Sequence, residues 1–164
     1  MLKKGRTKEK IVAVSGYFDP LHIGHIRYIR DAKKLGDKLV VILSRDDQCI
    51  AKKGYVFMPY EERKEILLAL KWVDEVVMNI DDDLTVTRTL EKVKPDIFAK
   101  GGDRTPENMP KSEIEVCKRL GINLVFGVGG EKIQSSSWLV QKIKNLNNIG
   151  CWTQSSNRDT ECES

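Results

Sequence analysis

The chain has 164 residues, of which 40% are hydrophobic and 32% charged, and its formal net charge is +4. This size and composition suit one domain with its own core and exclude a disordered or membrane-spanning chain. The opening MLKKGRTKEK lacks the apolar stretch of a signal peptide, and the modest charge gives little sign of nucleic-acid binding. We therefore expect a cytoplasmic protein that binds neither nucleic acid nor membranes and whose partners include anionic small molecules.

Short apolar runs alternate with helical periodicity in the first half of the chain. KIVAVSG (10–16) predicts a strand, apolar residues at three-residue steps from Ile23 predict a helix, and DKLVVIL (37–43) predicts a second strand. The polar segment SRDDQCIAKKGYVF (44–57) is expected to be a loop. Pro59 then suits the first turn of another helix.

The alternation continues in the second half. The predicted elements are a strand VDEVV (73–77), a helix LTVTRTLEKV (84–93), a strand PDIFAKGG (95–102), a helix SEIEVCKRLG (112–121), a strand INLVFGVGG (122–130) and a helix from about Ser135. Strands separated by helices pair through crossovers, which are right-handed. The predicted fold is therefore α/β: a Rossmann-like, doubly wound, five-stranded parallel sheet with helices on both faces. Ligands of such sheets bind where the strand order reverses.

Three regions are expected along the chain. Residues 1–9 form a basic N-terminal extension, and residues 10–147 form one domain with no internal linker. Residues 148–164 are polar and unperiodic and offer almost nothing to bury, which predicts a disordered tail.

Both histidines of the chain lie in GYFDPLHIGH (16–25), just after the first predicted strand. The helix that begins there has unpaired N–H groups and a positive dipole end, which attract phosphate. His22 and His25 add directional donors, and Gly24 lets a triphosphate approach the backbone. Asp19 is a Mg²⁺ ligand, a residue that positions the loop, or a helix cap. The two histidines alone make only half of a metal site.

This segment resembles the HxGH signature of the nucleotidyltransferase superfamily, and specifically the cytidylyltransferase-like family with its G-x-F-D-x-x-H-x-G-H pattern. Further similar segments, in the family order, are RDAKKLGDKLVV, PYEERKEILLALKWVDEVV, PDIFAKGGD and QSSSWLVQKI. The resemblance covers about residues 10–145. It implies a homodimeric enzyme that uses CTP or ATP with Mg²⁺, joins a nucleotidyl group to a small phosphorylated acceptor and releases pyrophosphate.

The resemblance also implies roles for individual residues. His22 and His25 would bind the triphosphate and stabilise the transition state, and Lys52 would be the mobile phosphate-binding lysine, with Lys53 as its neighbour. Residues expected to bind the nucleotide or the acceptor are Tyr17, Phe18, Asp19, Gly24, Arg63, Lys71, Gly101, Gly102, Asp103, Ser135, Ser136 and Ser137. Asp19 is the one candidate metal ligand.

Several of these residues have a structural alternative. The serine run 135–137 would present hydroxyl and N–H groups to the triphosphate, or act as an ordinary helix N-cap. The segment 101–103 forms part of the nucleoside pocket in the family, or is a glycine-rich turn. Arg63 contacts phosphate or pairs with Glu61 or Glu62 on a solvated helix face.

Departures from the family pattern bear on the substrate. Glycerol-3-phosphate cytidylyltransferases carry an arginine where this chain has Lys71, and another where it has GVGGEKIQSSS. Lysine lacks the bidentate fork of arginine, which argues against glycerol 3-phosphate. The KGGD turn (100–103) is closer to the heptose-1-phosphate branch, whose members usually take ATP. We expect a sugar or polyol phosphate acceptor, with CTP favoured and ATP as the alternative.

Other function classes and the assembly remain open. HIGH is also the signature of class I aminoacyl-tRNA synthetases, but the chain is far too short and has no KMSKS-like loop. A nucleotide-binding regulator without turnover is a second alternative, against which the intact His22, His25 and Lys52 argue. Dimer contacts are expected within residues 10–147, with Trp72 as either a partner-facing aromatic or a core residue.

Overall fold

The computed structural model describes residues 8–148, and within this range five strands alternate with six helices. The elements are β1 Ile11–Gly16, α1 Ile23–Lys33, β2 Lys38–Leu43, α2 Asp46–Lys53, α3 Tyr60–Leu68, β3 Glu75–Met78, α4 Thr87–Val93, β4 Ile97–Gly101, α5 Lys111–Leu120, β5 Asn123–Val128 and α6 Ser136–Asn148. None of these helices is long and apolar enough to cross a membrane.

The two predicted terminal segments fall largely outside the described residues. Residues 1–7 of the basic extension and residues 149–164 of the predicted tail are not described. Asn148, predicted as the first residue of the tail, is instead the last residue of α6.

The sheet has the order β3-β2-β1-β4-β5, and every neighbouring pair is parallel. From the central β1 the chain adds β2 and β3 on one side, and then returns to place β4 against the other side of β1. The predicted doubly wound fold is confirmed. The strand order reverses between β1 and β4, so a ligand site is expected at their carboxyl ends.

Both faces of the central strand are buried, which explains its continuous apolar sequence. On one face Val12 and Val14 pack in a core that includes Ile29 of α1 and residues of α3. On the other face Ala13 packs with Phe98 of β4 and with residues of α4 and α5. The helices that follow β1 and those that flank β4 therefore lie on opposite sides of the sheet.

The polar segment 44–57 contains helix α2, where a loop was predicted. Its sequence has little apolar periodicity, and tertiary hydrogen bonds hold it. The side chains of Arg45 and Gln48 donate to backbone carbonyl groups in the segment that follows β3. Gly54, at a φ of 82°, ends the helix in the left-handed conformation that glycine adopts readily.

Candidate active site

A cleft of about 550 Å³ opens at the carboxyl ends of β1 and β4, which is a usual size for a small-molecule site. Asp19, Arg63 and Lys71 are the only predicted site residues that do not line it. Those that do are Tyr17, Phe18, His22, Gly24, His25, Lys52, Gly101, Gly102, Asp103, Ser135, Ser136 and Ser137.

The two histidines form a reciprocal cap at the start of α1. Nδ1 of His22 accepts a hydrogen bond from the N–H of Gly24 (3.1 Å), and Nδ1 of His25 accepts one from the N–H of His22 (3.3 Å). The two rings stack with their centroids 3.7 Å apart. A neutral imidazole whose Nδ1 accepts carries its proton on Nε2. Each ring therefore has an Nε2–H donor that no residue among 8–148 uses.

Both rings are held in the neutral form. Burial, followed by the charges of the adjacent His22 and Lys53, lowers the pKa of His25 to about 3. The edge of the Phe18 ring, 4.8 Å away between centroids, contributes to that enclosure. Burial also lowers the pKa of His22, followed by the charges of Lys53 and Lys132. At neutral pH the pair therefore acts as two hydrogen-bond donors, and His25 is a poor proton acceptor.

We expect the His25 ring to stay neutral when the pH falls from 7 to 5. Its pKa of about 3 in the folded chain lies below the ordinary value of 6.5. Between these two values the unfolded chain binds a proton that the folded chain does not, so this group makes the fold less stable as the pH falls through that window. Imidazole ¹⁵N NMR measures the titration.

The variant His22→Asn leaves His25 as the one histidine of the chain and assigns its signal. Burial, the main cause of the shift, is retained in this variant. A titration midpoint near 6.5 would mean that the ring is solvated, contrary to the structure.

Two glycines bring backbone segments together around the cleft. A Cβ at Gly24 would lie 3.0 Å from the ring of His22, so a side chain there would press on the imidazole. A Cβ at Gly102 would collide with the carbonyl group of Gly130, because the turns after β4 and β5 meet there. Gly101 begins the first of these turns, and Asp103 lies at its exposed rim.

The two lysines at the end of α2 differ in their surroundings. Lys52, predicted in a mobile loop, is the exposed one and lines the cleft from a helix end. Lys53 is half-buried; its Nζ donates to the backbone carbonyl of Asp19 (2.8 Å) and lies 5.3 Å from the centre of the Tyr17 ring. Burial lowers the pKa of Lys53. The lysine that holds the histidine-bearing loop is thus Lys53, while the Lys52 ammonium forms no hydrogen bond within residues 8–148.

Asp19 is completely buried and lies outside the cleft lining. Its two carboxylate oxygens accept hydrogen bonds from the N–H groups of Met58 (2.6 Å) and Phe57 (2.9 Å). Of its three expected roles Asp19 therefore has the one of positioning the loop, and it is neither a Mg²⁺ ligand nor the cap of α1, a position that His22 occupies. Within residues 8–148 no three histidine, cysteine or acidic side chains form a group that could hold a metal ion. The residues present do not fit a protein-held Mg²⁺.

Arg63 differs from both of its expected roles, because its side chain is fully buried. It donates hydrogen bonds to the carbonyl groups of Tyr17 (2.7 Å), Ser44 (2.9 Å) and Met58 (2.8 Å) and to the carboxylate of Asp46 (2.6 Å). It contacts neither the cleft nor the neighbouring glutamates. The guanidinium instead joins the carboxyl ends of β1 and β2 to α2 and α3.

Lys71 also lies away from the cleft. It is exposed beyond the end of α3, with its Nζ 5.0 Å from the centre of the Trp72 ring. Trp72 is half-buried and packs against the core on the α1 face. The structure therefore contradicts a ligand-binding role for Lys71 and gives Trp72 a core role.

The serine run lies where α6 begins. Ser135 is an N-cap whose Oγ accepts a hydrogen bond from the N–H of Trp138 (3.2 Å). The Ser136 hydroxyl donates to the carbonyl of Pro20 (2.9 Å) and ties α6 to the histidine-bearing loop. Ser137 is exposed at the cleft. The serine run therefore caps the helix and also borders the cleft, so features of both of its expected roles are present.

A family model described as "Cytidylyltransferase-like" matches residues 13–148. The chain belongs to the cytidylyltransferase-like family. The prediction made from the HxGH motif and the similar segments is confirmed. The match covers all elements of this cytidylyltransferase-like domain except the first two residues of β1.

Curated relatives resemble parts of the domain and differ in length. The FAD synthase of Ferroglobus placidus is 42% identical over 95 residues, which are 58% of this chain and 60% of the relative. The bifunctional protein HldE of Citrobacter koseri is 43% identical over 138 residues, which are 83% of this chain and 28% of the relative. The chain thus spans less than two thirds of the length of either relative.

A solved structure with a similar fold is that of the lipopolysaccharide core biosynthesis protein from Thermoplasma volcanium. It is 30% identical with a TM-score of 0.64, and the match covers 76% of this chain and 99% of that chain. Its similarity supports the Rossmann-like fold of the cytidylyltransferase-like domain.

Sequence reasoning missed charged residues that line the cleft. Lys100 of β4 and Glu113 of α5 form a buried ion pair with an Nζ to Oε2 distance of 2.9 Å. Lys132, between β5 and α6, also lines the cleft, and its Nζ lies 3.4 Å from the carboxylate of Asp103. A lysine inside an otherwise apolar strand was the signal for the buried pair. Its partner lies 13 residues further along the chain and gives no local signal.

Proposed function

We propose that this protein is a nucleotidyltransferase that transfers an adenylyl group from ATP to a small phosphorylated acceptor and releases pyrophosphate. The observation that supports this proposal most strongly is the pair of neutral histidines, His22 and His25. Their rings stack at the start of α1, where the strand order reverses. The similarity to FAD synthase and to the HldE adenylyltransferase favours ATP. CTP remains the second candidate because of the family's description.

The proposed reaction is a single displacement. An oxygen of the acceptor phosphate attacks the α-phosphorus of the triphosphate, and the bond from that phosphorus to the oxygen bridging to the β-phosphate breaks. Pyrophosphate leaves with the bonding electron pair. Such a reaction needs positioning and charge stabilisation more than covalent help from the protein.

The chain offers donors suited to that task. The Nε2–H groups of His22 and His25 would bind oxygens of the α-phosphate, where negative charge grows in the transition state. The N-terminus of α6, with Ser137, and the exposed ammonium group of Lys52 would bind the remaining phosphates. Mg²⁺ would enter with the triphosphate as its counter-ion and neutralise phosphate charge, since Asp19 is already occupied.

The nucleoside would lie against the turns that contain Gly101, Gly102 and Asp103. The space beside Gly102 is filled by the Gly130 carbonyl group, so a flat base would meet the backbone groups of Gly101, where no side chain intervenes. Backbone groups that read a base leave few traces in a sequence, so this part of the cleft does not separate ATP from CTP.

A substrate matrix tests the proposal. ATP and CTP are each combined with heptose 1-phosphate, flavin mononucleotide, glycerol 3-phosphate, choline phosphate and ethanolamine phosphate, and pyrophosphate release is measured. We expect turnover with ATP and a hydroxyl-rich acceptor. A higher kcat/KM with CTP would select the second candidate. Binding of triphosphate without pyrophosphate release from any pair, in this set or a wider sugar phosphate set, would favour a regulator.

A further inference from the structure

The buried ion pair of Lys100 and Glu113 lines the cleft but has no part in the triphosphate site described above. The two residues are 7% and 3% exposed. The Lys100 ammonium donates to Oε2 of Glu113 (2.9 Å) and lies 3.5 Å from the Ser15 hydroxyl, while Oε1 of Glu113 accepts from the N–H of Val86 (3.2 Å). Burying two opposite charges is costly, and apolar side chains of similar size serve a core at least as well.

The pair and the histidines lie in different halves of the cleft. Side chains alternate along a strand, so Ser15 and Lys100 lie on the same face as Ala13 and Phe98, which pack against α4 and α5. The histidines begin α1, which packs on the opposite face. The half of the cleft next to α5 is therefore available to a group other than the triphosphate.

That half combines apolar walls with the ion pair at its floor. Leu84, Val86, Met109 and Pro110 supply the walls. An ammonium group has three donors, and a carboxylate has about four acceptor positions. Lys100 uses one donor on Glu113 and places a second near Ser15, so both charged groups retain hydrogen-bonding capacity on the side that borders the cleft.

The pair suits hydroxyl groups better than phosphate. Glu113 neutralises Lys100 and would repel a phosphate dianion, whereas one hydroxyl group can accept from the ammonium and donate to the carboxylate. We propose that Lys100 and Glu113 bind hydroxyl groups of the acceptor and so select a sugar or polyol phosphate over an acceptor without hydroxyl groups. This inference rests on the proposed function and adds the residues that determine its acceptor specificity.

The test compares acceptors in a variant that removes both charges, Lys100→Met with Glu113→Leu. Ribitol 5-phosphate and mannose 1-phosphate are the hydroxyl-rich probes, and propyl phosphate is the probe with neither a hydroxyl nor an ammonium group. We expect the variant to bind the hydroxyl-rich probes ~10-fold or more weakly, as the loss of one or two buried hydrogen bonds predicts. Binding of propyl phosphate and of ATP should stay within about 3-fold of the wild type, since neither is expected to use these hydrogen bonds. Ligand-observed NMR and KM values measure the acceptor, and calorimetry measures ATP.

The control is Lys118→Met, an exposed change on the same helix, outside the cleft. If the double variant unfolds, Glu113→Gln keeps the side-chain shape and gives the same comparison. Unchanged affinity for the hydroxyl-rich probes would overturn the inference, and so would a loss of ATP affinity alone, which would assign the pair to the nucleoside. A wild-type protein that binds no triphosphate would instead overturn the proposed function.

Discussion

Replacing His22 by alanine should lower kcat ~100–1,000-fold, the usual cost of losing one well-placed donor to the transition state. The ring is half-buried at the cleft, and its Nε2–H is available to a phosphate oxygen. The thermal midpoint should change little, because the ring's one hydrogen bond to residues 8–148 is the cap to the N–H of Gly24. His25→Ala should show a similar loss of kcat with a larger loss of stability, since that ring is more enclosed and packs against Phe18.

Turnover is measured with saturating ATP and acceptor, beside circular dichroism of each variant. Lys118→Ala is the matched control, an exposed helical residue outside the cleft. Near-normal kcat in both histidine variants would contradict the role given to the pair.

Replacing Arg63 by methionine should reduce the free energy of unfolding by about 3 kcal/mol or more, because each buried acceptor left without its donor costs about 1–3 kcal/mol. The change leaves the carbonyl groups of Tyr17, Ser44 and Met58 without their donor. Arg63→Lys should recover only part of the loss, because an ammonium group cannot reproduce the planar fork. Urea denaturation measures both variants.

Arg119→Met provides the comparison on the surface. Arg119 forms an exposed ion pair with Glu91, so its removal should change stability by no more than about 0.5 kcal/mol. If Arg63→Met kept its stability and instead lost affinity for ATP, the residue would be a phosphate ligand and its structural role would be wrong.

The strands and their parallel pairing could be predicted from the sequence, because parallel strands that are buried on both faces have continuous apolar runs. Helix α2 was not accessible in the same way. Its hydrogen bonds from Arg45 and Gln48 reach carbonyl groups more than 30 residues away, and a short polar helix has no periodic pattern of its own.

The cleft followed from the motif, whereas the burial of single charged residues did not. Arg63 sits among glutamates on a helix, a pattern typical of a solvated face, yet its side chain is fully buried. Asp19 is in the motif, but its carboxylate accepts hydrogen bonds from the backbone N–H groups of residues 57 and 58. These contacts form only in the folded loop, so the sequence gives no sign of them. The ligand-binding role predicted for Lys71 was wrong for a related reason: a position next to a helix end in the sequence does not fix the direction in which the chain continues.

We propose that the cleft transfers the nucleotidyl group of a nucleoside triphosphate to a phosphorylated acceptor. The most direct measurement follows [α-³²P]ATP with a sugar phosphate acceptor and quantifies the labelled product and the pyrophosphate together. We expect one labelled nucleotidyl group in the acceptor product for each pyrophosphate released, and no label on the protein. Release of orthophosphate in place of pyrophosphate, or label held covalently by the protein, would contradict it.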